Sequence, residues 1–154
     1  MKLYLMRHAH ALTTSQAGVP KDALRPLSEK GRADARGMAA ELARRGGAPA
    51  LILHSPLTRA VQTAAEAAAV LRPASGTEAF FSLDNLRPAE EVVAELTERA
   101  GKFSEVLAIG HQPQIGEVAT LLSKVVFELP PGTIVALELS SPARVLWSLS
   151  PEDL

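Results

Sequence analysis

The chain has 154 residues, 47% of them hydrophobic and 21% charged, with 16 lysines and arginines against 17 aspartates and glutamates and no cysteine. That length supports one well-buried domain over residues 1–154 and is short for two. The missing cysteine removes disulfide frameworks, thiolate metal sites, iron–sulfur clusters and cysteine nucleophiles.

The near-zero net charge gives no basic footprint for nucleic acid, and no apolar run approaches the ~20 residues that span a bilayer. Neither nucleic acid nor membrane is an expected partner. The apolar stretch Leu3 to Met6 is interrupted by Arg7 and His8 before it could serve as a signal h-region, which predicts a cytoplasmic protein. The overall charge conceals a split, because residues 1–62 carry 10 basic and 4 acidic side chains while residues 63–154 carry 6 and 13. A local anion site in the first half fits this imbalance, although Arg32, Arg36, Arg44 and Arg45 read as the wet face of a helix.

In chain order, Lys2 to Met6 predicts a short buried strand and the Gly- and Pro-containing segment 12–27 a loop. Ser28 is positioned to cap a helix running to about Arg45, with Ala33, Met38, Ala39 and Leu42 inward and Gly46-Gly47 ending it. Ala50 to Leu53 has the length and apolarity of a buried strand, and Ser55-Pro56 opens a helix from Leu57 to about Leu71. Glu78 to Ser82 is a weaker strand. Pro88 precedes a helix from Ala89 to about Ala100, with Val92, Val93 and Leu96 inward and Glu90, Glu91, Glu95 and Glu98 outward. Glu105 to Ile109 predicts another buried strand, followed by a helix from Pro113 to about Leu122. Thr133–Leu139 and Arg144–Leu149 alternate like a hairpin. The alternation of strands and helices implies a three-layer α/β/α sandwich whose sheet is mainly parallel, with antiparallel strands at its edge.

In such a sheet, ligands gather beyond the carboxyl ends of the strands. The segments there are Arg7-His8, Ser55-Pro56-Leu57-Thr58-Arg59 and Gly110-His111, so two arginines and two imidazoles converge beside helix N-termini, which favour anions. The planar guanidinium forks of Arg7 and Arg59 suit two phosphoryl oxygens. A neutral imidazole at His8 can attack phosphorus and carry the phosphoryl group, and a protonated His111 can donate to a non-bridging oxygen.

Taken together, Arg7-His8, Ser55-Pro56-x-x-Arg59-Ala60-x-Gln62-Thr63 and Gly110-His111-x-Pro113 resemble the histidine phosphatase, or phosphoglycerate mutase-like, superfamily. The short chain, the segment Asp22-x-x-Arg25-Pro26-Leu27-Ser28-x-x-Gly31 and the helix after Gly110-His111-Gln112-Pro113 are similar to its SixA group of phosphohistidine phosphatases. The resemblance implies a metal-independent, cofactor-free phosphatase with a covalent intermediate on His8, and Arg7, Arg59 and His111 completing the pocket. It also implies a phosphohistidine-bearing protein as substrate. Arg25 matches an arginine that the resemblance places at the pocket rim as a substrate contact, against which stands simple pairing with Asp22.

One departure is His10, where the group usually has an acidic residue; it reads as a pH-sensitive entrance contact or as variation on an exposed loop. His54 reads as a packed strand-end residue. Zinc held by His8, His10, His54 and His111 is opposed by the nearby arginines and the lack of a carboxylate partner.

Expelling an alkoxide from a phosphate ester calls for a positioned acid, and Asp84, Glu78 and Glu90 are the carboxylates near the expected site. None stands in the motif of the larger superfamily members, and the labile bond of phosphohistidine needs a dedicated acid less. Phosphohistidine on a protein is therefore the first expectation. A small-molecule phosphomonoesterase using Asp84 is the alternative, and a non-catalytic phosphate-binding module, which would not need His8, stands third.

Overall fold

Short apolar runs bounded by Gly, Pro and Ser turns become the sheet, and the Ala-rich amphipathic segments between them become its covering helices. Along the computed structural model, which describes residues 1–154, come β1 (Lys2–Arg7), α1 (Thr14–Ala17), α2 (Glu29–Arg44), β2 (Leu51–His54), α3 (Thr58–Leu71) and β3 (Thr77–Ala79). There follow α4 (Ala89–Ala100), β4 (Glu105–Gly110), α5 (Gln114–Ser123), β5 (Ile134–Glu138) and β6 (Arg144–Leu149). The strands form one six-stranded sheet in the order β3-β2-β4-β1-β5-β6. The first four in that order run parallel, and β5 and β6 are antiparallel additions at one edge. This is the expected α/β architecture.

Because side chains alternate across a strand, β1 sends Leu3 and Leu5 to one face and Tyr4 and Met6 to the other. The first face packs with Val92 and Leu96 of α4 and Ile115 and Val118 of α5. The second packs with Met38, Ala39 and Leu42 of α2 and Ala60, Ala64 and Ala67 of α3. The small α3 residues let that helix lie close to the sheet. Three layers result, and the central strands, covered on both sides, are apolar throughout.

Several element boundaries move from those read in the sequence. Ala33 is exposed, and the buried stripe of α2 is Gly31, Ala35, Met38, Ala39 and Leu42, which follows the 3.6-residue period more faithfully. The loop 12–27 contains α1, capped by Thr13 and Gln16 reciprocally, and a 3₁₀ turn at Asp22–Leu24. The weak strand shortens to β3, after which Phe81–Leu83 turns as a 3₁₀ helix. Arg32 and Arg36 pair with Glu66 of α3, and Arg44 and Arg45 with Glu41, so these four arginines do form a wet, ion-paired face.

The start of α2 is pinned against the segment leaving β1. The Ser28 hydroxyl accepts from the Gly31 amide, and the Ser28 amide donates to the His10 carbonyl at 3.0 Å. A Cβ on Gly31 would lie 2.0 Å from that carbonyl oxygen. Gly31→Ala should therefore lower the urea midpoint by the equivalent of about 1–3 kcal/mol through overpacking, despite the ~1 kcal/mol helix preference for alanine. A midpoint equal to or above that of the wild type would contradict this close approach.

Candidate active site

Parallel pairing sets Arg7 opposite Gly110 across β1 and β4, and His54 opposite Ile109 across β2 and β4. The residues that follow, His8, Ser55 and His111, therefore emerge side by side at the carboxyl ends of three adjacent strands. The His8 amide donates to the Gly110 carbonyl and the Ser55 amide to the Ile109 carbonyl, each at 3.0 Å, continuing the ladders past the strand ends. The His8 and His111 ring centroids are 5.1 Å apart.

His8 Nδ1 lies 2.7 Å from the Ala9 carbonyl oxygen. A carbonyl only accepts, so Nδ1 carries the proton and the Nε2 lone pair is left unprotonated. Burial pushes the His8 pKa down to about 3, with His111, Arg59 and Arg7 adding to the effect against the opposing Ala9 hydrogen bond. The ring is neutral at pH 7. His111 Nε2 lies 2.7 Å from the Ser55 hydroxyl, and burial, then Arg59 and Arg7, push its pKa down to about 4 against the charges of Asp22 and Asp84. With these groups alone around it, the His111 ring is neutral at pH 7. Burial is the first cause, and the two arginines that make the pocket attractive to anions add to it.

Arg7 donates to the Leu129 carbonyl at 2.9 Å, and burial followed by Arg59 lowers its pKa. Arg59, in the first turn of α3, is buried and donates to the Asp22 carbonyl at 3.0 Å and to Asp22 Oδ2 at 3.1 Å. Three buried side-chain polar atoms in the chain lack a hydrogen-bond partner: Arg7 Nε, Arg59 Nε and His111 Nδ1. All belong to this cluster. A buried donor without a partner costs about 1–3 kcal/mol, so the two arginine Nε–H groups, with His111 Nδ1 beside them as a third donor when Ser55 donates to Nε2, mark groups organised for an acceptor that is not part of the chain.

Arg25 donates to the Leu12 carbonyl at 2.8 Å and to Asp22 Oδ1 at 3.0 Å. The Asp22 pairing weighed against its rim role is present, and Arg25 connects to the pocket through Asp22, whose carboxylate bridges it to Arg59. That bridging carboxylate, held low first by Arg25 and then by Arg59, is a residue that sequence reasoning gave only to Arg25. Ser55, read with Pro56 as opening the helix, lies before the N-cap Leu57, which has no side-chain cap; its hydroxyl accepts from the Leu57 amide at 3.2 Å and pairs with His111 Nε2. The Leu129 carbonyl has no side-chain signature to find. Gln62 and Thr63 of the same motif act as braces, accepting from the Leu27 amide at 2.8 Å and the Ala9 amide at 3.1 Å.

The remaining histidines lie outside the cluster. His54 Nδ1 bonds the Ser55 carbonyl, while exposed His10 bonds the Ser28 hydroxyl, and no set of three His, Asp or Glu side chains converges in the manner of a metal site. Glu78 is occupied by Arg99 at 2.8 and 3.0 Å and Glu90 is exposed on α4. Asp84 accepts from the Leu86 amide at 3.0 Å and is the carboxylate among the three whose charge reaches His111.

The model of the histidine phosphatase superfamily (branch 1) matches residues 3–117. The chain belongs to that superfamily. Membership implies a phosphatase, a hydrolase of phosphoryl groups. No curated protein matches in sequence. Among solved structures, the protein histidine phosphatase SixA complexed with tungstate is similar at 26% identity and a TM-score of 0.90, over 99% of each chain. The proposed phosphohistidine phosphatase SixA from Agrobacterium tumefaciens follows at 24% identity and 0.84, over 97% of each chain. A mycobacterial glucosyl-3-phosphoglycerate phosphatase shares the histidine phosphatase fold at 17% identity and 0.70, over 95% of this chain and 97% of its own.

The depressed histidine pKa values carry a stability consequence. Below pH 6.5 the unfolded chain binds protons that the folded rings refuse, so stability conferred above that pH is lost as pH falls toward 3–4. Long-range ¹H–¹⁵N spectra should show the His8 ring in its Nδ1–H form at pH 5, whereas a midpoint near the unperturbed value of about 6.5 would contradict the burial argument.

Proposed function

We propose that this chain removes the phosphoryl group from phosphohistidine on a protein, through a phosphorylated intermediate on His8. The observation that carries the proposal is the set of unpartnered buried nitrogens, Arg7 Nε, Arg59 Nε and His111 Nδ1, in a cluster whose charges act on a neutral His8 imidazole.

In the first step His8 Nε2 attacks phosphorus, the N–P bond of the substrate breaks, and the bonding pair leaves with the substrate imidazole. Protonation of that imidazole at its other nitrogen lets it depart neutral, without an acid from the chain. The pocket's donors meet the three non-bridging oxygens as charge shifts among them. For His111, the Ser55 hydroxyl can donate to Nε2 and leave the proton on Nδ1, which makes a neutral ring a sufficient donor. In the second step water attacks the phosphorus on His8, the new N–P bond breaks and orthophosphate leaves.

Support for the protein substrate comes from the similarity to SixA over nearly the full chain and from the position of Asp84. Its carboxylate is engaged by the Leu86 amide, and of the three candidate acids for an ester leaving group Glu78 is held by Arg99, Glu90 stands exposed on α4, and Asp84 alone has a charge that reaches His111. The second reading, a small-molecule phosphomonoesterase, rests on the proximity of Asp84 to His111.

Rapid mixing with a phosphohistidine protein followed by alkaline quench should trap an acid-labile, alkali-stable phosphoenzyme, absent in His8→Ala. Arg59→Ala should cut kcat by about 10²–10³-fold, and Asp84→Asn should leave phosphohistidine hydrolysis within threefold of the wild type. Faster turnover of 4-nitrophenyl phosphate than of phosphohistidine, combined with a large loss in Asp84→Asn, would favour the esterase instead.

A further inference from the structure

A groove of about 410 Å³ opens between the start of α4, the start of α5 and the segment after α5, with walls that include Ala89, Glu90, Pro113, Glu117, Val126 and Phe127. It lies at the same end of the sheet as the phosphoryl site. One wall continues from His111 through Gln112 and Pro113. The other runs three residues from Val126 to Leu129, whose carbonyl accepts from Arg7 at 2.9 Å. The loop bearing Leu86 is fastened to this lip by the Asn85 side-chain amide, which donates to the Gln112 carbonyl at 3.0 Å.

Two properties of this surface define what could cover it. Val126, on a wall of the groove, is 83% exposed and Leu86, on the adjoining loop, 85%, the highest among the large apolar residues. Glu90 and Glu117, both on its walls, are exposed and stand in no ion pair, so the groove carries two uncompensated negative charges. The phosphoryl pocket is cationic and the adjoining groove is apolar and anionic.

From this juxtaposition we infer that the groove docks the chain segment flanking the phosphohistidine of the substrate protein, and that it selects a large aliphatic side chain accompanied by lysine or arginine. The inference rests on the proposed protein substrate and adds to it a sequence preference. A partner with acidic flanks would meet Glu90 and Glu117 as like charges, and a partner with small polar flanks would leave Val126 and Phe127 uncovered. The phosphate's own negative charge is met separately by Arg7 and Arg59, so basic flanks do not compete with it.

The test compares two synthetic phosphohistidine peptides, identical except that Leu and Lys flank the phosphohistidine in one and Ser and Glu in the other, with free phosphohistidine as the reference. The wild type should favour the Leu/Lys peptide by about tenfold in kcat/KM. Glu117→Lys and Val126→Asp, both at exposed positions, should reduce that preference to threefold or less while leaving free phosphohistidine hydrolysis unchanged. Equal kcat/KM for the two peptides, or variants that slow free phosphohistidine equally, would overturn the docking role. Failure to hydrolyse any phosphohistidine probe while 4-nitrophenyl phosphate is turned over would instead overturn the substrate assignment, and the docking role with it.

Discussion

The parallel register of β1 on β4 sets Arg7 opposite Gly110, and the chemistry of the molecule depends on that alignment. A slip of one residue would exchange the faces of β1, moving Leu3 and Leu5 away from α4 and α5, and would separate His8 from His111. Burial of the central strands on both sides makes such a slip costly. The apolar core thus fixes the relative height of two imidazoles to which it makes no chemical contribution. The same logic extends to β2, whose pairing of His54 with Ile109 delivers Ser55 to His111.

Once assembled, the cluster is electrostatically unfavourable to itself. Two arginines and two histidines share a buried space, and the histidines respond by remaining neutral. The arginines cannot respond in that way, so they lean on oxygens at the periphery: the Leu129 carbonyl for Arg7, and the carbonyl and carboxylate of Asp22 for Arg59. These contacts hold the outer guanidinium nitrogens and leave both Nε atoms unpartnered. On the proposed function, a tetrahedral oxyanion would supply the missing acceptors and charge together. Asp22 is exposed at 62% of its side chain, so its pairing with Arg59 is screened by solvent and adds little to stability.

Much of this was legible in the residues because the site uses backbone position as its scaffold. His8 and His111 directly follow strands whose apolar runs are easily seen, Arg7 ends β1 and Arg59 lies in the first turn of the helix after β2, and the α/β rule then sends all four to one end. Less legible was whatever depends on which atom meets which. Asp22 and Ser55 have local roles, as a pairing partner for Arg25 and a cap before α3, that fully explain their presence in a one-dimensional reading; their contacts with Arg59 and His111 span 37 and 56 residues. The depressed pKa of His111 was illegible for a related reason, since burial and the summed field of two arginines are properties of the packed molecule. The charge split between the two halves is now resolved into parts. Arg32, Arg36, Arg44 and Arg45 serve helix-face ion pairs, Arg7 and Arg59 the pocket, and the unpaired Glu90 and Glu117 the groove beside it.

The central claim is that the buried unpartnered donors await an oxyanion, and the dependence of the thermal midpoint on orthophosphate tests it most directly. A ligand that binds only the folded state stabilises it by RT ln(1 + [L]/Kd). At constant ionic strength, the midpoint of the wild type should climb with the logarithm of phosphate concentration, and that of Arg59→Met should stay flat. A wild-type midpoint indifferent to phosphate, or an equal rise in both proteins, would contradict the account.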